Sequence, residues 1–372
     1  MTMPETATPE TATPETAMPE TAMPVTTSSA APTAADFWTV LCEQMTTAHT
    51  QSGLFAYRGS PEPCRDLTIS PAAHVLHYGS AVFEGMKAHR QSDGSLAVFR
   101  LDDHVARLVR SAEGLCLPPV DPAMLRRMII DAVAANATET PDPPGSLYIR
   151  PTLIGTEANI GAATSPSQEA LLYVVCSPVG DYFKGGPRPL TLLLETSLQR
   201  TVAQFGMIKC GANYAMAMGL TQAVMAANEA VDQILFATAD DITETGASNF
   251  FLVDDNRVVT RHLDESFLHG VTRDCVIRIA DHLGYQVEER SICPDELIEW
   301  CERGEAFLSG TAAVVAPVGT IIHGGESLHF SGGQLGRNTQ PGRNTMRLRQ
   351  ALMDIQTGAA PDMFAWRTPI AR

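Results

Sequence analysis

The chain has 372 residues, 44% of them hydrophobic, and a formal net charge of −16 from 42 acidic and 26 basic side chains. That acidic excess is spread along the chain with no basic cluster, which argues against a nucleic acid or an anionic membrane surface as partner. No uninterrupted apolar stretch approaches the ~20 residues needed to span a bilayer. The eight cysteines are scattered, without a C-x-x-C pair or His/Cys ligand spacing, which points to reduced thiols, a cytoplasmic setting and no structural metal.

At the start of the chain Pro4-Glu5-Thr6-Ala7 recurs from Pro9, Pro14 and Pro19, and Ser/Thr/Ala/Pro-rich sequence continues to Ala35. Proline at every fifth residue prevents a helix and no large apolar side chain recurs, so residues 1–35 are expected to form a disordered arm. The arm has neither a basic start with an apolar core nor any arginine, unlike a signal or transit peptide. About 335 residues follow, enough for two domains of a mixed α/β (α+β) chain. Residues 36–178 read as a smaller α/β domain. In it, helix is expected over Asp102–Leu115, with Val105, Leu108, Val109 and Ala112 at helical spacing, and again over Pro122–Ala137. Strands are expected over Ser146–Ile154 and Ala170–Cys176. Residues 179–189, with Gly185-Gly186 and two prolines, read as a linker.

Residues 190–372 read as the larger domain. It opens with the strand Leu190–Glu195, followed by a helix over Tyr214–Glu229 and a strand over Asp232–Phe236. Phe250–Val253 and Val258–Thr260 pair as a hairpin. A helix begins near Thr272, with Val276, Ala280 and Leu283 on one face. Gly324–Gly342 reads as a loop and Thr345–Ile355 as the last helix. Between Ile242 and Phe251 lies a turn carrying one carboxylate, Glu244, between two apolar runs.

Lysine is almost absent: the chain contains only Lys87, Lys184 and Lys209. Lys209 lies in Met207-Ile208-Lys209-Cys210-Gly211-Ala212-Asn213-Tyr214, an uncharged stretch that opens an apolar helix. Apolar surroundings disfavour an ammonium, which suits a nucleophilic amine. A Schiff-base lysine and a carboxylate facing a pyridinium nitrogen are what a protein contributes to pyridoxal phosphate chemistry. Lys87 is the only other lysine within a motif.

Seven segments carry a resemblance. In order they are His77-Tyr78-Gly79-Ser80-Ala81-Val82-Phe83-Glu84-Gly85-Met86-Lys87; Val98-Phe99-Arg100 with His104-Val105-Ala106-Arg107-Leu108; Ser146-Leu147-Tyr148-Ile149-Arg150-Pro151; the Lys209 segment; the Glu244 segment; Gly270-Val271-Thr272-Arg273-Asp274; and Ser309-Gly310-Thr311-Ala312-Ala313. With these the chain resembles the branched-chain aminotransferases of pyridoxal-phosphate fold type IV over nearly everything after the first forty residues.

The resemblance implies a two-domain enzyme with pyridoxal 5′-phosphate (PLP) at the domain interface. Lys209 is then the covalent anchor and proton shuttle, Glu244 the partner of the pyridine nitrogen, and Tyr214 the partner of the 3′-oxygen. Arg107, the backbone N–H groups of Val271 and Thr272 at a helix start, and the Thr311 hydroxyl would hold the phosphate. The substrate α-carboxylate would meet Tyr148 and the amides of Thr311 and Ala312, and the distal carboxylate of glutamate would meet Arg150. Tyr148 and Arg150 are two apart on an expected strand, so they share a face. Phe83 and Tyr78 would line the apolar side-chain pocket. Arg110 and Arg273 read as structural or surface residues.

The implied reaction moves the amino group of leucine, isoleucine or valine to 2-oxoglutarate, in a cytoplasmic homodimer whose pocket borrows residues from the partner subunit. Several loops depart from the family pattern: Arg200–Ile208 ahead of the lysine, Gly246-Ala247-Ser248-Asn249 after the glutamate, and Phe364-Ala365-Trp366 near the end. The cysteine pair of vertebrate members is Ala313 and Ala316 here. These departures keep open a same-fold PLP enzyme specialised for a non-proteinogenic amino acid.

Overall fold

Ser146–Gly155 and Ala170–Val179 are nearly continuously buried and pair antiparallel along their whole length, forming the centre of a first sheet. The computed structural model describes residues 39–371 except 52, 183–185, 239 and 331–339; the expected disordered arm and Lys184 lie outside the described residues. Gln44–Gln51 and Leu54–Tyr57 extend the sheet on one side. Met86–Arg90 and Leu96–Phe99 extend it on the other. Its last strand comes from the chain end, since Arg367–Ile370 pairs with Leu96–Phe99, a return that a division at residue 190 does not anticipate. One face of the sheet buries Leu147, Ile149 and Leu153 with the apolar residues of helices Leu101–Gly114 and Pro122–Ala135. Alternation along the strand turns Tyr148 and Arg150 the other way.

The second sheet closes on itself. Ile242–Thr245, Gln233–Ala237, Leu190–Glu195, Val314–His323, Glu305–Gly310 and Asn249–Val253 pair in that order, and the last pairs back to the first through Glu244 and Asn249. Glu244 therefore sits at the seam of a closed ring of strands rather than in a turn. The sequence reading missed this because the strand Ile242–Thr245 is only four residues long and only its first residue, Ile242, is apolar. Arg257–Thr260 and Gln286–Glu289 continue the sheet outside the ring.

Three other elements differ from expectation. The helix expected from Tyr214 begins at Gly211 and ends at Ala227. Within the expected loop Gly324–Gly342, Glu326–His329 pairs with Val314–His323, and residues 331–339 lie outside the described residues. The helix Arg343–Thr357 is two residues longer at each end than its apolar pattern indicates.

The buried face of Leu101–Gly114 is Leu101, His104, Val105, Arg107, Leu108, Ser111 and Ala112, a stripe at helical spacing. Three of these are polar, and all three point at the junction between the two sheets.

Candidate active site

Lys209 lies between strand Leu190–Glu195 and helix Gly211–Ala227, where this connection touches the first sheet. Its carbonyl accepts from Phe83 N at 3.1 Å and its own N–H donates to Ser111 Oγ at 3.0 Å, so strand Ala81–Phe83 and helix Leu101–Gly114 both fix its backbone. The Lys209 amine lies 2.8 Å from the Tyr214 hydroxyl and 5.1 Å from the centre of the Phe83 ring. Five residues separate Lys209 from Tyr214, and the helix start at Gly211 supplies the turn that brings them together. Burial alone would raise the Tyr214 phenol, but the Lys209 ammonium beside it, with Arg200 and Arg107 nearby, holds it below the usual value.

Glu244 is buried in the ring seam. Arg200 Nη1 donates to its Oε1 at 2.6 Å, Leu268 N donates to the same oxygen at 3.1 Å, and Asn249 Nδ2 donates to Oε2 at 3.2 Å. Burial pushes this carboxyl up from its ordinary value, and Arg200 opposes the shift. Arg200 also lies 5.7 Å from the Tyr214 ring centre, tying the carboxylate to the phenol. Sequence reading missed both partners: Arg200 and Asn249 fell in segments noted only as departures from a pattern. Arg200 is the only charged residue between Glu195 and Lys209, and that was the available signal.

Arg107 is buried with its fork on Glu84: Nε to Oε1 at 2.6 Å and Nη2 to Oε2 at 2.9 Å. His104 Nδ1 meets the same Oε2 at 2.7 Å. Burial alone would raise the Glu84 carboxyl, but Arg107 and His104 hold it well below the usual carboxylate range. Burial lowers His104, outweighing the pull of Glu84, so the imidazole is neutral near pH 7 and donates its Nδ1 proton. Arg107 Nη1 reaches on to the His269 carbonyl at 3.0 Å, one residue before Gly270, the N-cap of helix Val271–His282. Val271 and Thr272 are the first two residues of that helix, whose N–H groups have no intrahelical acceptor. Gly270 has to be glycine, because a Cβ there would collide with the Asn249 side-chain oxygen. Arg107 is thus tied to the approach of the helix that Val271 and Thr272 open, a cation beside a helix N-terminus.

Tyr148 is buried, and Arg150 Nη2 donates to its hydroxyl at 3.0 Å. The Arg150 guanidinium lies 4.7 Å from the Phe83 ring centre, and the Phe83 ring lies 5.4 Å from that of Tyr214. Burial keeps the Tyr148 phenol well above its usual value against the pull of Arg150, so it is a neutral donor. Gly85 makes room for it, since a Cβ there would overlap the hydroxyl.

Thr311 and Ala312 form the turn between Glu305–Gly310 and Val314–His323. The turn is held from behind: Lys87 Nζ donates to the Ala312 carbonyl at 2.9 Å and Arg349 Nη1 to the Ala313 carbonyl at 2.6 Å. Lys87 pairs directly across the strands with Tyr148, which brings the turn to the tyrosine.

One expected residue turns elsewhere. Tyr78 ends the short helix His74–Tyr78, packs against His74 at 4.8 Å, and donates its hydroxyl to the Ile160 carbonyl. Arg110 is exposed. Arg273 is buried and structural, donating to the Arg261 carbonyl and to Glu289.

Comparison with known proteins extends this geometry. A model of the family described as amino-transferase class IV matches residues 81–321. The probable branched-chain-amino-acid aminotransferase of Streptomyces coelicolor is 37% identical over 341 residues, covering 88% of this chain and 91% of that protein. Branched-chain-amino-acid aminotransferase 2 of Bacillus subtilis is 36% identical over 317 residues, 83% of this chain and 85% of that one. Among solved structures, the T.th. branched-chain amino acid aminotransferase with pyridoxamine 5′-phosphate aligns at a TM-score of 0.70 and 29% identity, covering 88% of this chain and 98% of that chain. The mixed helix-and-sheet architecture matches these structures, as the sequence resemblance implies. The chain belongs to the class IV aminotransferases.

Proposed function

We propose that this aminotransferase moves the amino group of branched-chain L-amino acids to 2-oxoglutarate, giving glutamate and the branched 2-oxo acid, with PLP as cofactor. The observation that carries the reading is the Lys209 amine held 2.8 Å from a phenol, between a buried carboxylate and an arginine set beside a helix N-terminus. That donor set fits PLP group by group. The amine suits its aldehyde, Tyr214 the 3′-oxygen, Glu244 the ring nitrogen, and Arg107 with Val271, Thr272 and the Thr311 hydroxyl the phosphate.

Once bound, PLP supplies an electron-withdrawing ring to the amino acid's Cα. The chain supplies the rest. Lys209 moves the proton between Cα and the cofactor's C4′, and its reach is fixed by the backbone hydrogen bonds from Phe83 and to Ser111. Glu244 would meet the ring nitrogen through Oε2, which accepts from Asn249 Nδ2, whereas Oε1 accepts from both Arg200 and Leu268 N. Tyr148, a neutral donor, and the amides of Thr311 and Ala312 orient the α-carboxylate. Phe83 offers an apolar wall to leucine-like side chains, and Arg150, stacked on it, offers a cation to the distal carboxylate of glutamate.

The same reading includes a homodimer. Helix Gly211–Ala227 contains no charged residue, yet Met218 and Met225, seven apart and so on one face, are 61% and 38% exposed, and Leu198 and Val202 are exposed as well. An apolar helix face of this kind, directly beyond Lys209 and Tyr214, suits a second copy of the chain. Such a copy would also give Tyr78 a pocket to line. The eight free cysteines suit a cytoplasmic enzyme. A panel of amino donors against 2-oxoglutarate tests the reading: leucine, isoleucine and valine should be the best donors, and turnover confined to some other amino acid would overturn it.

A further inference from the structure

The motif Val98-Phe99-Arg100 contributes nothing to the reaction as described, yet Arg100 breaks two local rules. It is the N-cap of helix Leu101–Gly114 with φ 54° and ψ 40°, a left-handed conformation that side chains other than glycine, asparagine and aspartate rarely adopt. It also places a cation at the positive end of a helix. The compensation comes from the helix's own first turn and from two other segments, which converge on its buried guanidinium. Nε meets Asp103 Oδ2 at 2.6 Å in the helix's own first turn. Nη1 meets Asp274 Oδ2 at 2.6 Å and Cys275 Sγ at 3.3 Å, both in helix Val271–His282. The Trp366 ring lies 5.1 Å from the guanidinium carbon, and the Trp366 carbonyl accepts from Arg100 N at 2.7 Å.

Resting on the PLP reading above, we propose that Arg100 is a positioning residue that sets the spacing between the two halves of the phosphate site. The cation of that site, Arg107, rides on helix Leu101–Gly114, whereas its N–H groups, Val271 and Thr272, open helix Val271–His282. These helices belong to the two different sheet layers. Arg107 touches the second helix's approach at one point, through His269. A single contact is a pivot. Arg100 lies seven residues earlier, about 10 Å along the helix axis, and its bond to Asp274 supplies the second point. Two attachments fix both the distance and the rotation of one helix against the other, so the Arg107 N–H groups not engaged by Glu84 and His269 and the amide cup meet a phosphate group together. Phe99 at 5.7 Å and Phe364 at 4.2 Å clamp Trp366, which covers the pin.

The test uses full-chain holoenzyme and three variants: Arg100→Asn, whose residue tolerates the left-handed backbone; Asp274→Asn, whose half-exposed side chain can be changed without burying an orphan; and the double. The readout is the rate of PLP release on dilution, followed by loss of visible absorbance, beside the melting temperature of each apoprotein. Each single variant should release PLP about tenfold faster, since a charge-assisted hydrogen bond is lost. The double should be no faster than the worse single, while Arg278→Gln, which removes Asp274's other partner at 3.3 Å, stays at the wild-type rate. Unchanged release with a lowered melting temperature would reduce Arg100 to a structural residue and overturn the proposal, as would losses that simply add. If Arg100→Asn fails to fold, Asp274→Asn alone decides. A wild type that carries no PLP would instead sink the functional reading.

Discussion

Replacing Arg150 by methionine separates the two substrates that one pocket has to accept. The guanidinium donates to the Tyr148 hydroxyl at 3.0 Å and lies against the Phe83 ring at 4.7 Å, so its loss has a part common to all substrates and a part specific to glutamate. The common part is a cation–π contact of about 0.5–1 kcal/mol, about two- to fivefold, plus some loosening of Tyr148. The specific part is a charge-assisted hydrogen bond to the distal carboxylate, about 1.5–3 kcal/mol, or roughly ten- to a hundredfold in kcat/KM. Methionine keeps the bulk and the apolar contact with Phe83, so leucine should stay within the common loss. Single-turnover half-reactions, with leucine or glutamate supplied alone, measure each substrate without the other. The ratio of the two kcat/KM values should move by at least about tenfold against glutamate. Equal losses for the two would show that Arg150 only supports Tyr148, and 2-oxoglutarate as acceptor would lose its residue-level basis.

Glu244→Gln should slow turnover by several powers of ten in a stopped-flow assay while cofactor remains bound, because an amide cannot hold the ring nitrogen protonated. The same change leaves the Arg200 charge buried without its carboxylate, at a cost of about 3–5 kcal/mol, so a clear fall in melting temperature should accompany it; near-normal turnover would mean another group faces the ring nitrogen. Burial lowers Lys87 from 10.5 to about 8, with Arg349 adding to the effect. Between those pH values the unfolded chain holds a proton that the folded chain has lost, so stability should rise with pH across that window by up to about 3 kcal/mol. Denaturant titrations of wild type and Lys87→Met near both ends of the window should differ by this rise, and identical pH dependence would refute it. Met218→Glu, on the uncharged helix, should shift sedimentation from dimer to monomer; an unchanged species would place the interface elsewhere.

The parts of this molecule legible in the sequence are those written in local spacing. The helices Leu101–Gly114 and Val271–His282 announce themselves by apolar periodicity, and the Tyr148/Arg150 pair by strand alternation. What escaped depends on distant partners. Glu244 looks like a turn carboxylate until Arg200, forty-four residues away, and the ring seam at Asn249 are in place. Glu84 reads as one letter of a motif, and only the fold places it under Arg107 and His104. His104 and Ser111 did carry a usable signal, as polar residues inside an otherwise apolar helical stripe. The return of Arg367–Ile370 to the first sheet carried none, because four residues pair with a strand some 270 positions earlier.

Every role assigned above radiates from the Lys209 amine. Holoenzyme reduced with borohydride, digested and sequenced by mass spectrometry reports which amine holds the cofactor. The phosphopyridoxyl group should lie on the peptide containing Lys209, in full yield, and be absent after Lys209→Ala. Label on Lys87 or Lys184 would contradict the account at its root.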